Sequence, residues 1–287
     1  MKAIRHLLAV VVLAAAAPAA LAQGYPTKPV RVIVPFAAGG PADIFGRYVA
    51  QRLQEALGQS FIIDNRTGAG AIIGTEAAAK SAPDGYTLLV ISNTHTANET
   101  LVASRPYELM RDFTAVAGIN VSENVLVVHP SVPANTVQEL VALAKAQPKK
   151  LNYASSGTGT PYHMAGEQFR ARAGIEIVHV PYKASSAART DVIAGQVQMM
   201  FDAVSTMAPN IRAGKVRGIA TTGVTRAAQL LELPTMQEAG IADYESLIWL
   251  GLVAPAKTPR EIVERLNAEV DKVIARPDTR EAWAKQG

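Results

Sequence analysis

The residues of this chain whose types could do chemistry are few. They are His95, His129, His163 and His179, the carboxylates Asp43 and Asp202 at element ends, and the hydroxyl-rich run Ser155-Ser156-Gly157-Thr158-Gly159-Thr160. Two histidines one helical turn apart would make a metal site, but no two of these have that spacing. Cysteine is absent, which excludes a disulfide framework, a thiolate metal site, a cysteine nucleophile and lipid attachment through an N-terminal cysteine. Ser155 and Ser156 lie in no G-x-S-x-G elbow, so they are poor hydrolase nucleophiles. The Gly157-Thr158-Gly159 loop lacks the Gly-Lys-Ser/Thr of a nucleotide-binding P-loop, and Gly68-x-Gly70-x-x-x-Gly74 is one residue off the dinucleotide fingerprint. The expectation is a protein that is not an enzyme and carries no metal and no cofactor.

What these residues can do instead is hold an anion. Val30, Val32 and Val34 alternate as a strand, Pro35 and the Gly39-Gly40 pair break it, and a helix resumes through Ile44 and Tyr48. A glycine loop that opens a helix leaves backbone N–H groups unpaired, and the helix dipole acts on the same spot. The plan returns at Leu151–Ala154, the Ser155–Thr160 loop and a helix through His163, Met164 and Glu167. From the loops alone, phosphate and carboxylate are equally good ligands. Asp43, early in the first helix, reads as a brace of its loop and a complement to the dipole before a direct ligand contact. His163 packs the second loop or touches the ligand. Asp202, at the end of the apolar Met199-Met200-Phe201, holds a ligand group, holds a water or pins a neighbouring loop. His129 and His179 fall in strands and read as core or lobe-surface residues.

The elements that position these loops alternate strand and helix, which predicts βαβ units with a parallel sheet. Strands are expected at Phe61–Asn65, Tyr86–Ser92, Phe113–Val121, Asn124–Pro130, Ile175–Tyr182, Val197–Asp202, Val216–Thr222 and Ile248–Pro255. Helices are expected at Thr75–Lys80, Val137–Ala146 and Ala187–Ala194. Gly58 reads as a helix C-cap, Asn93-Thr94-His95-Thr96 as a capping segment, and Thr258-Pro259-Arg260-Glu261 as a capping-box start. NVLVVHPSVPANTVQELVALAK and WLGLVAPAKTPREIVERLNAEV share one plan of apolar strand, proline and Thr-led helix. The fold class that follows is α/β with two similar lobes and a ligand cleft at the carboxyl ends of the strands. Residues 23–122 and 223–287 would form lobe 1 and residues 123–222 lobe 2, with crossovers near Ser122 and Thr222.

Residues 1–22 read as a signal peptide: Lys2, Arg5 and His6 precede an apolar run from Leu7 to Ala17, Pro18 and a small-x-small site at Ala20-Leu21-Ala22. Cleavage after Ala22 implies a soluble, exported protein, most simply periplasmic. The formal charge is +4, two of it in that segment, and no basic run suggests nucleic acid.

Several segments together carry a resemblance. Tyr25-Pro26-x-Lys28-Pro29, Pro35-Phe36-x-x-Gly39-Gly40-x-x-Asp43, Asn65-Arg66-x-Gly68-Ala69-Gly70, Pro83-Asp84-Gly85-Tyr86, Leu151 to Thr160, His179-Val180-Pro181-Tyr182-Lys183 and Gln196 to Asp202 resemble the Bug family, the periplasmic receptors of tripartite tricarboxylate transporters. The resemblance spans residues 23–287 in order. It implies a periplasmic-binding fold of type II-like plan, each lobe a mostly parallel sheet flanked by helices, that closes on a small carboxylate held partly through ordered water. It implies a di- or tricarboxylate, amino acid or aromatic acid as ligand, transporter subunits of the tripartite type as partners, and a monomer. A ligand-presenting subunit that signals to a membrane sensor kinase is the alternative. Carried over residue by residue, ligand contacts fall on Phe36, Ala38, Gly39, Gly40 and Asp43, on Asn93 and Thr94, on Ser155, Ser156, Gly157, Thr158, Gly159, Thr160 and His163, and on Asp202. The chain departs from the family at Ala184-Ser185-Ser186-Ala187-Ala188, where glycines and a proline are usual, so ligand contacts from that loop are not expected. It departs also at Tyr107-Glu108-Leu109, and in ending at Gly287, where the family continues for some tens of residues.

Overall fold

The computed structural model describes residues 24–284. The predicted signal segment and the chain's last residues, Gln286 and Gly287, lie outside the described residues.

The first strand, β1 (Val30–Val34), is buried along nearly its whole length. It pairs in parallel with β2 (Phe61–Asn65) and β3 (Thr87–Ser92). Between β1 and β2 runs α1 (Pro41–Leu57), which buries Ala42, Phe45, Val49, Ala50 and Leu53 on one stripe at helical spacing. That stripe packs on Val32, Val34, Leu88 and Val90. Gly58 ends the helix in the left-handed region, with φ of 71° and its N–H donating to the Gln54 carbonyl.

The sheet then becomes mixed. β9 (Leu247–Pro255) runs antiparallel to β3 on one side and to β4 (Phe113–Val128) on the other. β4 is a single strand of 16 residues, where the sequence pattern suggested two. Its first part, to Glu123, pairs with β9. From Asn124 onward it pairs antiparallel with β7 (Met199–Ala203) and β8 (Arg217–Thr221). The other strands of that half, β5 (Asn152–Ser155) and β6 (Val178–Pro181), run parallel to each other, and β5 also to β7. Each half therefore mixes parallel and antiparallel pairs. The antiparallel ones come from β4 and β9, which return the chain instead of crossing over a helix.

Two lobes follow, each a sheet with helices on its faces. Alternation along β4 turns Leu126 and Val128 toward one core, with Tyr153, Phe169, Phe201 and Tyr244, and Val125 and Val127 toward another, with Met200, Val204 and Met207. The helices are α2 (Ile72–Ala79), α3 (Asn93–Leu101), α4 (Leu109–Asp112), α5 (Val137–Ala146), α6 (Pro161–Ala173), α7 (Ser185–Ile193), α8 (Val204–Arg212), α9 (Arg260–Ala275) and α10 (Pro277–Ala284). In the first lobe α9 lays Ile262, Leu266 and Val270 beside α1, and Trp283 of α10 meets Phe45 and Tyr48 edge-on.

Three local expectations need correction. Asn93 does not cap α3. Ser92 does, accepting from the Thr94 N–H while His95 Nδ1 accepts from the Ser92 N–H. Thr258 makes no capping box: its hydroxyl donates to the Pro255 carbonyl at 2.7 Å, and Pro259 is the N-cap of α9. The helix expected from Thr75 begins at Ile72, ahead of which the backbone coils through a left-handed turn.

Candidate functional site

Both glycine loops are built alike. α1 and α6 each open on a proline at the first helical position, Pro41 and Pro161. Proline has no N–H, so the first amide of each helix belongs to the second residue, Ala42 or Tyr162, and a helix offers that amide no acceptor of its own. Two residues ahead of each proline stands a left-handed glycine, Gly39 with φ of 77° and Gly159 with φ of 78°. Each glycine N–H donates to the side chain four residues on: Gly39 to Asp43 Oδ2 at 3.0 Å and Gly159 to His163 Nδ1 at 3.1 Å. A side chain at the third helical position thus reaches back and fixes the turn ahead of the cap.

The braces differ in charge. Burial works against the charge on Asp43, but hydrogen bonds from Arg47, Gly39 and Asn65 outweigh it and hold the carboxyl below its ordinary value. Burial depresses His163, so it stays neutral and Nδ1 accepts the Gly159 N–H. His179 lies 4.2 Å from it between ring centroids. Burial and the neighbouring His163 push His179 down to about 4. His179 Nε2 meets Ser155 Oγ at 2.6 Å, and the same hydroxyl accepts from the Gly157 N–H at 3.1 Å.

A cavity of about 690 Å³ lies between the two loops. From the first lobe Phe36, Gly40, Pro41 and Ala42 line it; from the second, Ser156, Gly157, Thr158, Thr160, Pro161 and Tyr162. Of the residues singled out from sequence, Phe36, Gly40, Ser156, Gly157, Thr158 and Thr160 are therefore brought together on its wall. Ala38 and Gly39 are exposed in the first turn and stand off the lining, as do Gly159, Ser155 and His163, which brace the second. Asn93 ties α3 to β9, donating to the Leu247 carbonyl and accepting from the Trp249 N–H. Thr94 is fully buried, and its hydroxyl has no partner among the described residues. Asp202 is fully buried and does not line the cavity. It accepts from Arg189 Nε at 2.9 Å and from the Ala203 N–H at 2.8 Å, and the Tyr162 hydroxyl reaches it too. Burial raises its carboxyl from the ordinary range against the opposing pull of Arg189.

Two further segments line the cavity and were not among the predicted contacts. One is Thr67–Ala71, whose residues Gly68, Ala69, Gly70 and Ala71 all have positive φ. The two alanines cost roughly 1–2 kcal/mol each in that region, and such strain concentrates where a loop binds. A chain of hydrogen bonds holds the loop: His95 Nε2 to Thr75 Oγ1 at 3.0 Å, and Thr75 Oγ1 to the Ala71 carbonyl at 2.8 Å. Burial drives His95 down to about 4, opposed by its bond with Ser92. It is thus neutral, with Nδ1 accepting and the Nε2–H donating. The sequence signal was the Gly68-x-Gly70 pair, weighed as a nucleotide fingerprint and as one of the segments of the family resemblance, but not as a ligand contact. The other segment is Pro181–Ser185. The expected loop at Ser185-Ser186 is already helix α7, so Ser185 sits at a helix start on the cavity wall. A Cβ placed on Gly40 would lie 3.6 Å from its hydroxyl, so the lobes nearly touch there. Pro35, Ala37, Ser92, Asn98, Leu101, Val102, Ile248 and Leu250 complete the wall.

No group of His, Asp and Glu among the described residues could hold a metal ion, and no described helix is long and apolar enough to cross a membrane. The arrangement offers amides, hydroxyls and apolar surface, and it suits binding.

Residues 45–287 match the model of the tripartite tricarboxylate transporter family receptor. Protein BugT of Bordetella pertussis is 34% identical over 268 residues, covering 93% of this chain and 82% of BugT. The structure of Rpa4515 of R. palustris with adipate superposes with a TM-score of 0.89 at 36% identity, over 92% of this chain and 88% of that one. MatC from Rhodopseudomonas palustris with bound malate gives 0.86 at 31% identity, over 92% and 90%.

Proposed function

This chain belongs to the tripartite tricarboxylate transporter receptor family, and from that premise we propose that it captures a small carboxylate in the periplasm and delivers it to a tripartite transporter. The observation that carries the reading is the paired opening of α1 and α6 on one cavity, each with a proline first and a free amide second. Rpa4515 holds adipate and MatC holds malate, which supports a carboxylate over a phosphate. The amides of Ala42 and Tyr162 take one carboxylate between them, with the Ser156–Thr160 loop and ordered water completing its shell. Phe36, Gly40, Thr158 and Thr160 shape the pocket, and Asp43, Ser155, His163 and Asp202 serve it as braces.

The magnitudes suffice. A helix N-terminus gives a carboxylate up to ~2 kcal/mol when partly buried, and each charge-assisted hydrogen bond roughly 1.5–3 kcal/mol. Several of these reach the ~8 kcal/mol of a micromolar receptor after the losses of closure.

The lobes divide as residues 23–122 with 223–287, and 123–222, and close as a hinge. Support comes from the change of partner along β4 between Glu123 and Asn124. Support comes also from the crossover itself, where Thr222 Oγ1 accepts from the Asn124 N–H at 2.9 Å and Ser246 and Thr222 are bonded through their backbones. The receptor acts as a monomer, exported by the segment that ends at Ala22. Nothing among the described residues favours the sensor-kinase alternative.

The test is a thermal-shift panel of mono-, di- and tricarboxylates, amino acids and aromatic acids on the protein without residues 1–22. At least one carboxylate raises the melting temperature, by an amount that grows with the logarithm of its concentration above Kd. A shift given only by phosphate esters would overturn the reading.

A further inference from the structure

The cavity wall carries one charge. Among its described lining residues Lys183 alone is ionisable as a cation, and no aspartate or glutamate lines it. Lys183 is exposed, and no ion pair or hydrogen bond engages it among the described residues. Two residues on, Ser185 opens α7, is 9% exposed and lines the same cavity. Its hydroxyl has no partner among the described residues and faces Gly40 across the gap. A cation, an unengaged hydroxyl and a third helix start thus meet the cavity on one short stretch, apart from the paired openings of α1 and α6. The wall around them is apolar, with Leu101, Val102, Ile248 and Leu250.

We propose that Lys183 and Ser185 form a second anion subsite inside the cavity, and that the ligand is an unbranched dicarboxylate with an apolar middle. The proposal rests on the carboxylate-receptor reading and refines it. One acid group sits at Ala42 and Tyr162; the other meets the Lys183 ammonium and the Ser185 hydroxyl. Charge matching excludes the neighbouring classes. An amino acid brings an ammonium that no lining carboxylate receives, and a tricarboxylate brings a third charge against leucine, valine and isoleucine side chains. Either leaves a desolvated charge without a partner. Sequence reasoning set this segment aside because Ala184-Ser185-Ser186 replaces the family's glycines and proline. The same replacement puts a hydroxyl at the start of α7.

The experiment titrates wild type, Lys183→Met and Ser185→Ala calorimetrically with glutarate, adipate, pimelate, hexanoate, 6-aminohexanoate and citrate. Wild type binds one of the three diacids at least about tenfold more tightly than hexanoate, and 6-aminohexanoate and citrate more weakly still, as the loss of one charge-assisted contact requires. Lys183→Met weakens that diacid about tenfold or more and leaves hexanoate within about twofold, so the difference between the acids collapses. Ser185→Ala has the same sense and a smaller size. The melting temperature of the ligand-free Lys183→Met protein is unchanged, since Lys183 holds nothing in the fold. If hexanoate binds as well as every diacid, or Lys183→Met weakens both acids equally, the subsite is refuted while the receptor reading stands. If no acid in the set binds, the subsite is refuted, and the receptor reading falls only if the thermal-shift panel also finds no carboxylate that binds.

Discussion

Gly40 is the place where a single side chain tests the geometry. Its φ of −91° and ψ of 170° suit any residue, so a substitution there carries no backbone strain. Its Cβ would stand 3.6 Å from both the Ala37 carbonyl and the Ser185 hydroxyl. Alanine therefore fits at ordinary contact distance, and Gly40→Ala weakens binding only a few-fold. Valine adds carbons about 1.5 Å further out, which brings them against Ser185 and into the space between the two loops. The carboxylate or the closure must give way, so Gly40→Val lowers affinity at least about a hundredfold, or ~2.7 kcal/mol. The fold suffers little. Valine is a poorer N-cap than glycine by about 1 kcal/mol, a fall of roughly 2–4 °C in melting temperature for a chain of this size. Calorimetric titration with the best acid of the thermal-shift panel, beside a melting curve without ligand, separates the two effects. Wild-type affinity in Gly40→Val would refute a site between α1 and α6.

Asp202→Ala leaves Arg189 and the Ala203 N–H without their buried acceptor, and unfolding measured by scanning calorimetry shows a loss of about 3–5 kcal/mol. His163→Ala frees the Gly159 amide and loosens the second loop; affinity for the same acid falls several-fold by calorimetry, with less than about 1 kcal/mol of stability lost. Stability rises with pH between about 4 and 6.5, because His95, fully buried, and His179 are held neutral in the fold but take a proton in that window when unfolded. The unfolded state binds more protons there, so the slope is positive, and His95 adds up to about 3 kcal/mol across the window. Chemical denaturation at a series of pH values checks this, and His95→Gln reduces the slope.

Much of the architecture was legible because it rests on local rules. The strand-glycine-helix plan at Val30–Arg47 and at Leu151–Glu167 follows from alternation, the break and the proline, and Gly58 and Val137–Ala146 fall where capping and periodicity put them. What was not legible depends on partners far along the chain. β4 read as two strands because Asn120, Ser122 and Glu123 interrupt its apolar pattern. Pairing with β9 and then with β7 carries it straight through both lobes. The polar residues near the glycine loops were equally good as contacts or braces on sequence alone. Only the turn geometry shows that Asp43 and His163 spend an acceptor on the glycine four residues before them. The left-handed run at Gly68–Ala71 escaped because two of its four residues are alanines, which do not announce a positive φ. Ser185 escaped because a serine pair reads as loop until the helix that it opens is seen.

The central claim is that one carboxylate is shared by the openings of α1 and α6. The measurement that meets it most directly is a crystal structure of the protein with the acid that raises its melting temperature most. One carboxylate lies within hydrogen-bonding distance of the Ala42 and Tyr162 amides, directly or through a single water, with Gly40 and Thr160 beside it. An acid found elsewhere in the molecule, with those two amides facing only solvent, would contradict the account.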